Sequence, residues 1–179
     1  MRMDFDLDRA LVLLLRTPAI LRAWLGDLEP AWLHSTTGPK TFSPYDVLGH
    51  LIEGERTDWM PRLQRILEHG ESLPFEPFDR FAMWQWSQGR AVNDLLDEFT
   101  ALRQRNLDAL RDLALQRTDF ARRGRHPALG TVTLGQLLAT WVVHDQNHLA
   151  QIARTLSFQY LDAVGPWREY LSILPRAGA

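Results

Sequence analysis

The 179-residue chain contains no cysteine. That absence removes disulfide frameworks, thiolate nucleophiles, redox pairs, iron–sulfur clusters and every zinc site built on sulfur, so a transition metal could be held only by His, Asp or Glu. The chain also lacks an excess of one charge. Its 20 Lys and Arg stand against 22 Asp and Glu, a formal net charge of −2, and the arginines are scattered rather than gathered in a stripe. Nucleic acid therefore finds no electrostatic footprint. Long apolar runs are missing too: the longest aliphatic stretch, Ala10 to Leu15, ends at Arg16, far short of the roughly 20 residues that span a bilayer. The start of the chain carries Arg2, Asp4, Asp6 and Asp8, unlike the cationic opening of a signal peptide. A cytoplasmic protein with neither nucleic-acid nor membrane partners is expected.

What is present suits a packed core: 45% apolar residues, with 23% charged residues of both signs interspersed. One domain over residues 1–179 is the expectation for this length. Apolar residues recur at three- and four-residue spacings and sustained alternation is nearly absent, so the pattern predicts helices. The first runs from about Asp8 to Leu28 with Leu11, Leu14, Leu15, Leu21, Leu25 and Leu28 inward, and Pro18 should kink or break it. The second starts at Ser43 as N-cap, with Pro44 first in the helix and Asp46 three residues after the cap. It should bend at Pro61 and stop at Gly70. A third helix covers Ala91 to Leu115. A fourth begins with the capping box Thr133 and Gln136 and reaches about Leu156. Residues 71–87, with two prolines and five aromatics, form a long crossover, and Thr118 to Gly130 reads as a basic loop. A short helix from Pro166 should pack over Trp167, Tyr170 and Leu174. These elements predict an all-α four-helix bundle over about 8–156 with a C-terminal extension over 157–179.

His144 and His148 lie four residues apart in the fourth helix. They differ by about 40° around the axis and about 6 Å along it, so both imidazoles project from one face. Leu137, Trp141 and Ile152 share that face, which therefore points to the core. Two such histidines are in themselves a common core feature, and a metal needs a third ligand. His50, on the core side of the second helix beside Gly49, is the candidate. Three inward histidines from two helices would leave positions open on a metal, as catalytic sites do.

The run Ser43-Pro44-Tyr45-Asp46-Val47-Leu48-Gly49-His50-Leu51-Ile52-Glu53-Gly54-Glu55-Arg56, an aromatic stretch ending in Trp84, and His144-Asp145-Gln146-Asn147-His148-Leu149 followed by Gln151-Ile152 together resemble the DinB/YfiT-like superfamily. The similarity extends from about Leu7 to Leu156. It implies an up-down-down-up four-helix bundle, a homodimer, and a divalent ion such as nickel or zinc on His50, His144 and His148. Characterised members of that superfamily include bacillithiol-dependent S-transferases and a mycothiol-dependent maleylpyruvate isomerase, and others are labelled metal-dependent hydrolases by inference. The expected function is thus a metal-dependent enzyme acting on a small molecule, with water or a low-molecular-weight thiol co-substrate as nucleophile. The alternative is a non-catalytic metal- or ligand-binding dimer. A zinc peptidase is disfavoured, because the His-Glu-x-x-His pattern has Asp145 in place of the glutamate.

Glu53, three residues from His50, is the expected catalytic residue: it could orient an imidazole, take a proton from bound water, or ligate. Its competing role is a rim ion pair. Glu55 lies about 140° from His50 around the helix and reads as structural, and Asp145 should point away from a metal. His34, His69 and His126 are expected at the surface, as is the Arg122, Arg123 and Arg125 cluster unless it grips an anion. The seven tryptophans should mostly pack core and bundle ends, with Trp84 and Trp86 as possible walls of a pocket.

Overall fold

The computed structural model describes residues 4–176. Four helical rods make the bundle, and two of them are broken by proline. The first rod is α1 (Leu7–Leu14) followed by α2 (Thr17–Leu25). A short α3 (Pro30–Leu33) follows. The second rod is α4 (Pro44–Thr57) and α5 (Trp59–His69), and a short α6 (Trp84–Ser87) interrupts the crossover. The third and fourth rods are the unbroken α7 (Val92–Asp112) and α8 (Leu134–Phe158). No helix of the described residues is long and apolar enough to cross a membrane.

Side-chain pairings fix the direction of each rod. Tyr45 bonds the Arg90 carbonyl while Asn106 bonds Glu55, so the second and third rods run parallel. His50 meets His148, whereas Glu55 meets Trp141, so the fourth runs against the second. Phe5, just ahead of α1, lies beside Gly135 and Thr17 bonds Asp145, which sets the first rod parallel to the fourth. The order is up-down-down-up, as expected. The crossover over 70–91 is long because two successive parallel rods cannot be joined by a tight turn.

The caps and breaks follow local chemistry. Ser43 and Asp46 form the reciprocal box at the start of α4, and Thr133 and Gln136 do so for α8. Pro18 has no N–H to give the Leu14 carbonyl, so the first rod opens between Leu14 and Thr17. The freed carbonyl accepts instead from Arg103 Nη1 at 2.8 Å. Pro61 breaks the second rod at Asp58, three residues upstream, by the same mechanism.

Arg103 ties the rods together. All its guanidinium N–H groups are used: Nε and Nη2 donate to Glu55 Oε1 at 3.1 and 2.8 Å, Nη1 and Nη2 to the Asp145 carboxylate at 2.6 and 3.0 Å, and Nη1 also to Leu14. Thr17 donates to Asp145, and Trp141 Nε1 and Asn106 donate to Glu55. Arg103, Glu55 and Asp145 are almost completely buried. The structural roles expected for Glu55 and Asp145 hold.

Four expectations need correction. Residues 118–130 are not simply a loop: a 3₁₀ turn (Arg117–Ala121) leads into an antiparallel hairpin of β1 (Arg123–His126) and β2 (Gly130–Thr133). These strands show no apolar alternation because they are held by backbone contacts. Phe75 N–H donates to the Arg125 carbonyl at 2.8 Å, and Gly124 lies so near Ile66 and Phe75 that a Cβ would fall 2.6 Å from Ile66 Cγ1. Leu15 is 41% exposed because the Pro18 break rotates it off the core face. Only Trp59 and Trp141 of the tryptophans are buried; Trp24, Trp84 and Trp167 are exposed. The expected helix at Pro166 is a 3₁₀ turn (Gly165–Tyr170) that buries Leu174 but leaves Trp167 and Tyr170 outside.

Replacing Arg103 by Met would leave two buried carboxylates without a counter-charge. Urea unfolding of Arg103→Met is expected to show a loss of about 3–5 kcal/mol. A loss below about 1 kcal/mol would mean the network contributes little to holding the rods together.

Candidate metal centre

His50 stands on α4 among Val47, Leu48, Leu51 and Ile52, all buried in the core. Gly49 beside it admits Met83 from the crossover, whose Cγ would lie 3.1 Å from a Cβ at that position. His144 and His148 face it from α8. The Nε2 atoms of His50 and His144 are 3.2 Å apart, those of His148 and His144 3.1 Å, and the three side chains place their ligand atoms within 4.8 Å of one another. Two nitrogens at about 2.0–2.1 Å from one ion are separated by about 2.9 Å at a right angle and about 3.3 Å at the tetrahedral angle. The two separations from His144 fall within that interval.

Protonation agrees with this geometry. Burial, then the nearby His148 and Arg80, pushes the His50 pKa down to about 4. Burial and the flanking histidines push His144 to about 2. Burial also lowers His148, against opposing contributions from Gln151 and Asp145. All three rings are therefore neutral near pH 7, the form that offers a lone pair to a metal. The His148 Nδ1–H donates to Gln151 Oε1 at 2.9 Å, which assigns the free lone pair to Nε2. Among the described residues, His144 Nδ1 is buried without a hydrogen-bond partner, and His50 Nδ1, near the Arg80 backbone, also completes none. Three crowded imidazoles with unanswered nitrogens are costly as a purely structural feature. They fit a divalent ion.

The cluster opens into a cavity of about 330 Å³ between the second rod, α8 and the hairpin. His50 and His144 stand in its wall with Trp59, Phe78 and Leu137. Trp59 presents its edge to His144, with centroids 5.1 Å apart, and stacks on Trp141 at 5.6 Å. The break in the second rod contributes Asp58. This buried residue is bonded through Oδ1 to Arg62 Nε at 2.6 Å, and burial raises its pKa to about 6 despite that pairing.

Glu53 is not brought into the histidine group: its Oε2 accepts from Trp86 Nε1 at 2.8 Å, and Arg56 covers the Trp86 ring. Nor do Trp84 and Trp86 line this cavity. Trp84 stacks on Phe81 and bonds Asp46, and the aromatic wall is made by Trp59, Phe75 and Phe78. His34 and His69 are exposed as expected, but His126 is half-buried in the cavity wall. Asp58, Arg62 and His126 also line the cavity, and nothing in the sequence pattern singles out Arg62 or His126 for it. The one signal for Asp58 was its place just ahead of Pro61, where the helix had to break.

In metal-free protein, the unfolded chain protonates His50 below about pH 6.5, whereas the folded chain does so only near 4. Over that interval the unfolded state holds the extra proton, so this residue removes stability as pH falls. Asp58, with its pKa raised, acts in the opposite sense over part of the range. Ring titration by NMR is therefore the direct check. The His50 and His144 rings are expected to stay neutral at pH 5.5, and a pKa near 6.5 for either would contradict the buried cluster.

Comparison with known proteins agrees with this architecture. No curated protein matches the chain. Among solved structures, YfiT from Bacillus subtilis, described as a probable metal-dependent hydrolase with an unusual four-helix bundle topology, aligns with a TM-score of 0.73 at 22% identity, covering 89% of this chain and 90% of YfiT. The likeness shows a common fold. The family model of the DinB superfamily matches residues 13–152, which take in part or all of each rod and all three histidines. The chain belongs to the DinB superfamily.

Proposed function

We propose that this chain is a metal-dependent hydrolase in which a divalent ion, nickel or zinc, is held by Nε2 of His50, His144 and His148. The observation that carries the reading is the convergence of three neutral imidazoles, two of which, His50 and His144, stand in the wall of a cavity. Three nitrogen ligands leave positions open for water and substrate. When bound, such an ion lowers the pKa of a water ligand and polarises the bond under attack.

The remaining work falls to the chain's own groups. Gln151 holds His148 in its orientation through Nδ1. Trp59 and Phe78 exclude bulk water from the flanks of His144 and His50. Asp58 lines the same cavity with Oδ1 fixed by Arg62, so Oδ2 can hold or release a proton near neutral pH. Glu53 acts here as a positioning residue: its carboxylate anchors Trp86 one turn from His50.

Water is favoured over a thiol as nucleophile on grounds of space. The cavity is at the small end of ligand sites, and a chain without cysteine would need a carrier thiol beside the substrate. The description of YfiT as a probable metal-dependent hydrolase adds support through the shared fold. The proposal includes the homodimer implied by the family resemblance and the cytoplasmic setting expected from the sequence.

Loading with nickel or zinc is expected to give about one ion per chain and metal-dependent cleavage of activated esters or amides. His50→Ala, His144→Ala and His148→Ala should each lose the ion and more than about a hundredfold in turnover, with helical circular dichroism retained. Turnover only with an added small thiol and a chloro or epoxide electrophile would make the protein a transferase. A bound ion without turnover would mark a metal-binding bundle. No uptake of metal would end the proposal.

A further inference from the structure

The cavity has a second polar feature beyond the histidines. Arg62 lies about three helical turns past His50 on the bent second rod, so it enters the cavity away from the histidine cluster. Its guanidinium stands over the Phe75 ring, 5.3 Å from the centroid, and its side chain is 13% exposed. Its ion pair, Nε to Asp58 Oδ1 at 2.6 Å, holds the fork along one edge. The two terminal amino groups have no protein partner among the described residues. A guanidinium carries five donors and no acceptor, so these groups are free to donate to an acceptor on a ligand.

His126 adds a donor of the same kind. Its Nδ1 accepts from the backbone N–H groups of Ala128 and Leu129, both at 3.1 Å. A nitrogen that accepts carries no hydrogen, so the ring hydrogen of the neutral imidazole is on Nε2. Burial and the charge of Arg62 both favour that neutral form. The Gln136 carbonyl, which could have supplied an acceptor in this wall, is committed to the α8 cap. One end of the cavity thus presents donors from α5 and β1 beside the Arg62–Asp58 ion pair, while Phe78 and Leu137 add apolar lining.

We propose that Arg62 and His126 form a carboxylate-binding subsite, so that the substrate is a small organic acid with an apolar body between its acidic group and the reacting atom. The carboxylate takes the terminal amino groups of Arg62 in the side-by-side geometry that a fixed guanidinium favours, and His126 Nε2–H completes the cradle. Asp58 orients the arginine from the opposite edge. This assignment rests on reading the cavity as the substrate site of the metal-dependent enzyme, but its donors are independent of the metal ligands.

The test is an NMR titration of the full-length, zinc-loaded chain with phenylacetate and with phenylacetamide, which share a shape and differ in charge. Phenylacetate is expected to bind at least about tenfold more tightly, shifting the Arg62 Nε and His126 ring signals. Arg62→Gln should erase that preference, Arg62→Lys should keep part of it, and His144→Ala should leave it intact. If Arg62→Gln does not fold, Arg62→Lys and His126→Phe carry the test, each weakening phenylacetate and not the amide. Equal binding of acid and amide, or no binding of either, would overturn the subsite. So would a preference that survives Arg62→Gln but disappears in His144→Ala, since the carboxylate would then sit at the metal end. A chain that takes up no zinc yet prefers phenylacetate through Arg62 would retain the subsite and lose the metal-dependent reading.

Discussion

The buried guanidinium of Arg103 is the constraint on which the arrangement of the bundle depends. Apolar packing alone leaves rods free to slide and rotate by small amounts, because Leu and Ile contacts have little directional preference. A planar fork bonded to Glu55 on α4, to Asp145 on α8 and to the open carbonyl of Leu14 on α1 allows one register only. Burying these charges carries a large desolvation cost, and its return is specificity of register more than net stability.

That register is what assembles the site. Asp145 is the neighbour of His144, and Glu55 is one and a half turns from His50, so fixing both carboxylates on one arginine sets the phase of both histidine-bearing helices. The coupling is also physical. Trp141 donates to Glu55, stacks on Trp59, and Trp59 meets the edge of His144. Three neutral imidazoles are thereby held within a few ångströms of one another, although no hydrogen bonds between them could satisfy every nitrogen.

Features written in local chemistry were legible in the sequence. The Ser43 and Thr133 caps, the Pro18 and Pro61 breaks and the four-residue spacing of His144 and His148 act within a few residues, and each appears where expected. His50 was legible because apolar periodicity put it on the core side of its helix. Arg103 was not: an arginine in an otherwise amphipathic helix reads as solvated until the acids from other rods are in place. The hairpin was hidden because its strands are secured by backbone bonds and by Gly124 against Ile66 and Phe75, which leave no pattern of side chains. Glu53 shares the histidine side of α4, but spacing along one helix could not show that Trp86, from the crossover, takes its carboxylate. His126 is hidden for the same reason: it reaches the cavity wall through a hairpin whose sequence has the composition of a loop.

The central claim is that the phase imposed on α4 and α8 builds one three-imidazole metal site. X-ray absorption at the metal edge of the zinc-loaded chain examines it most directly. The account predicts a first shell with three nitrogens at about 2.0–2.1 Å and the outer-shell scattering of three imidazole rings. A shell of oxygen ligands, or one with a single imidazole, would contradict it.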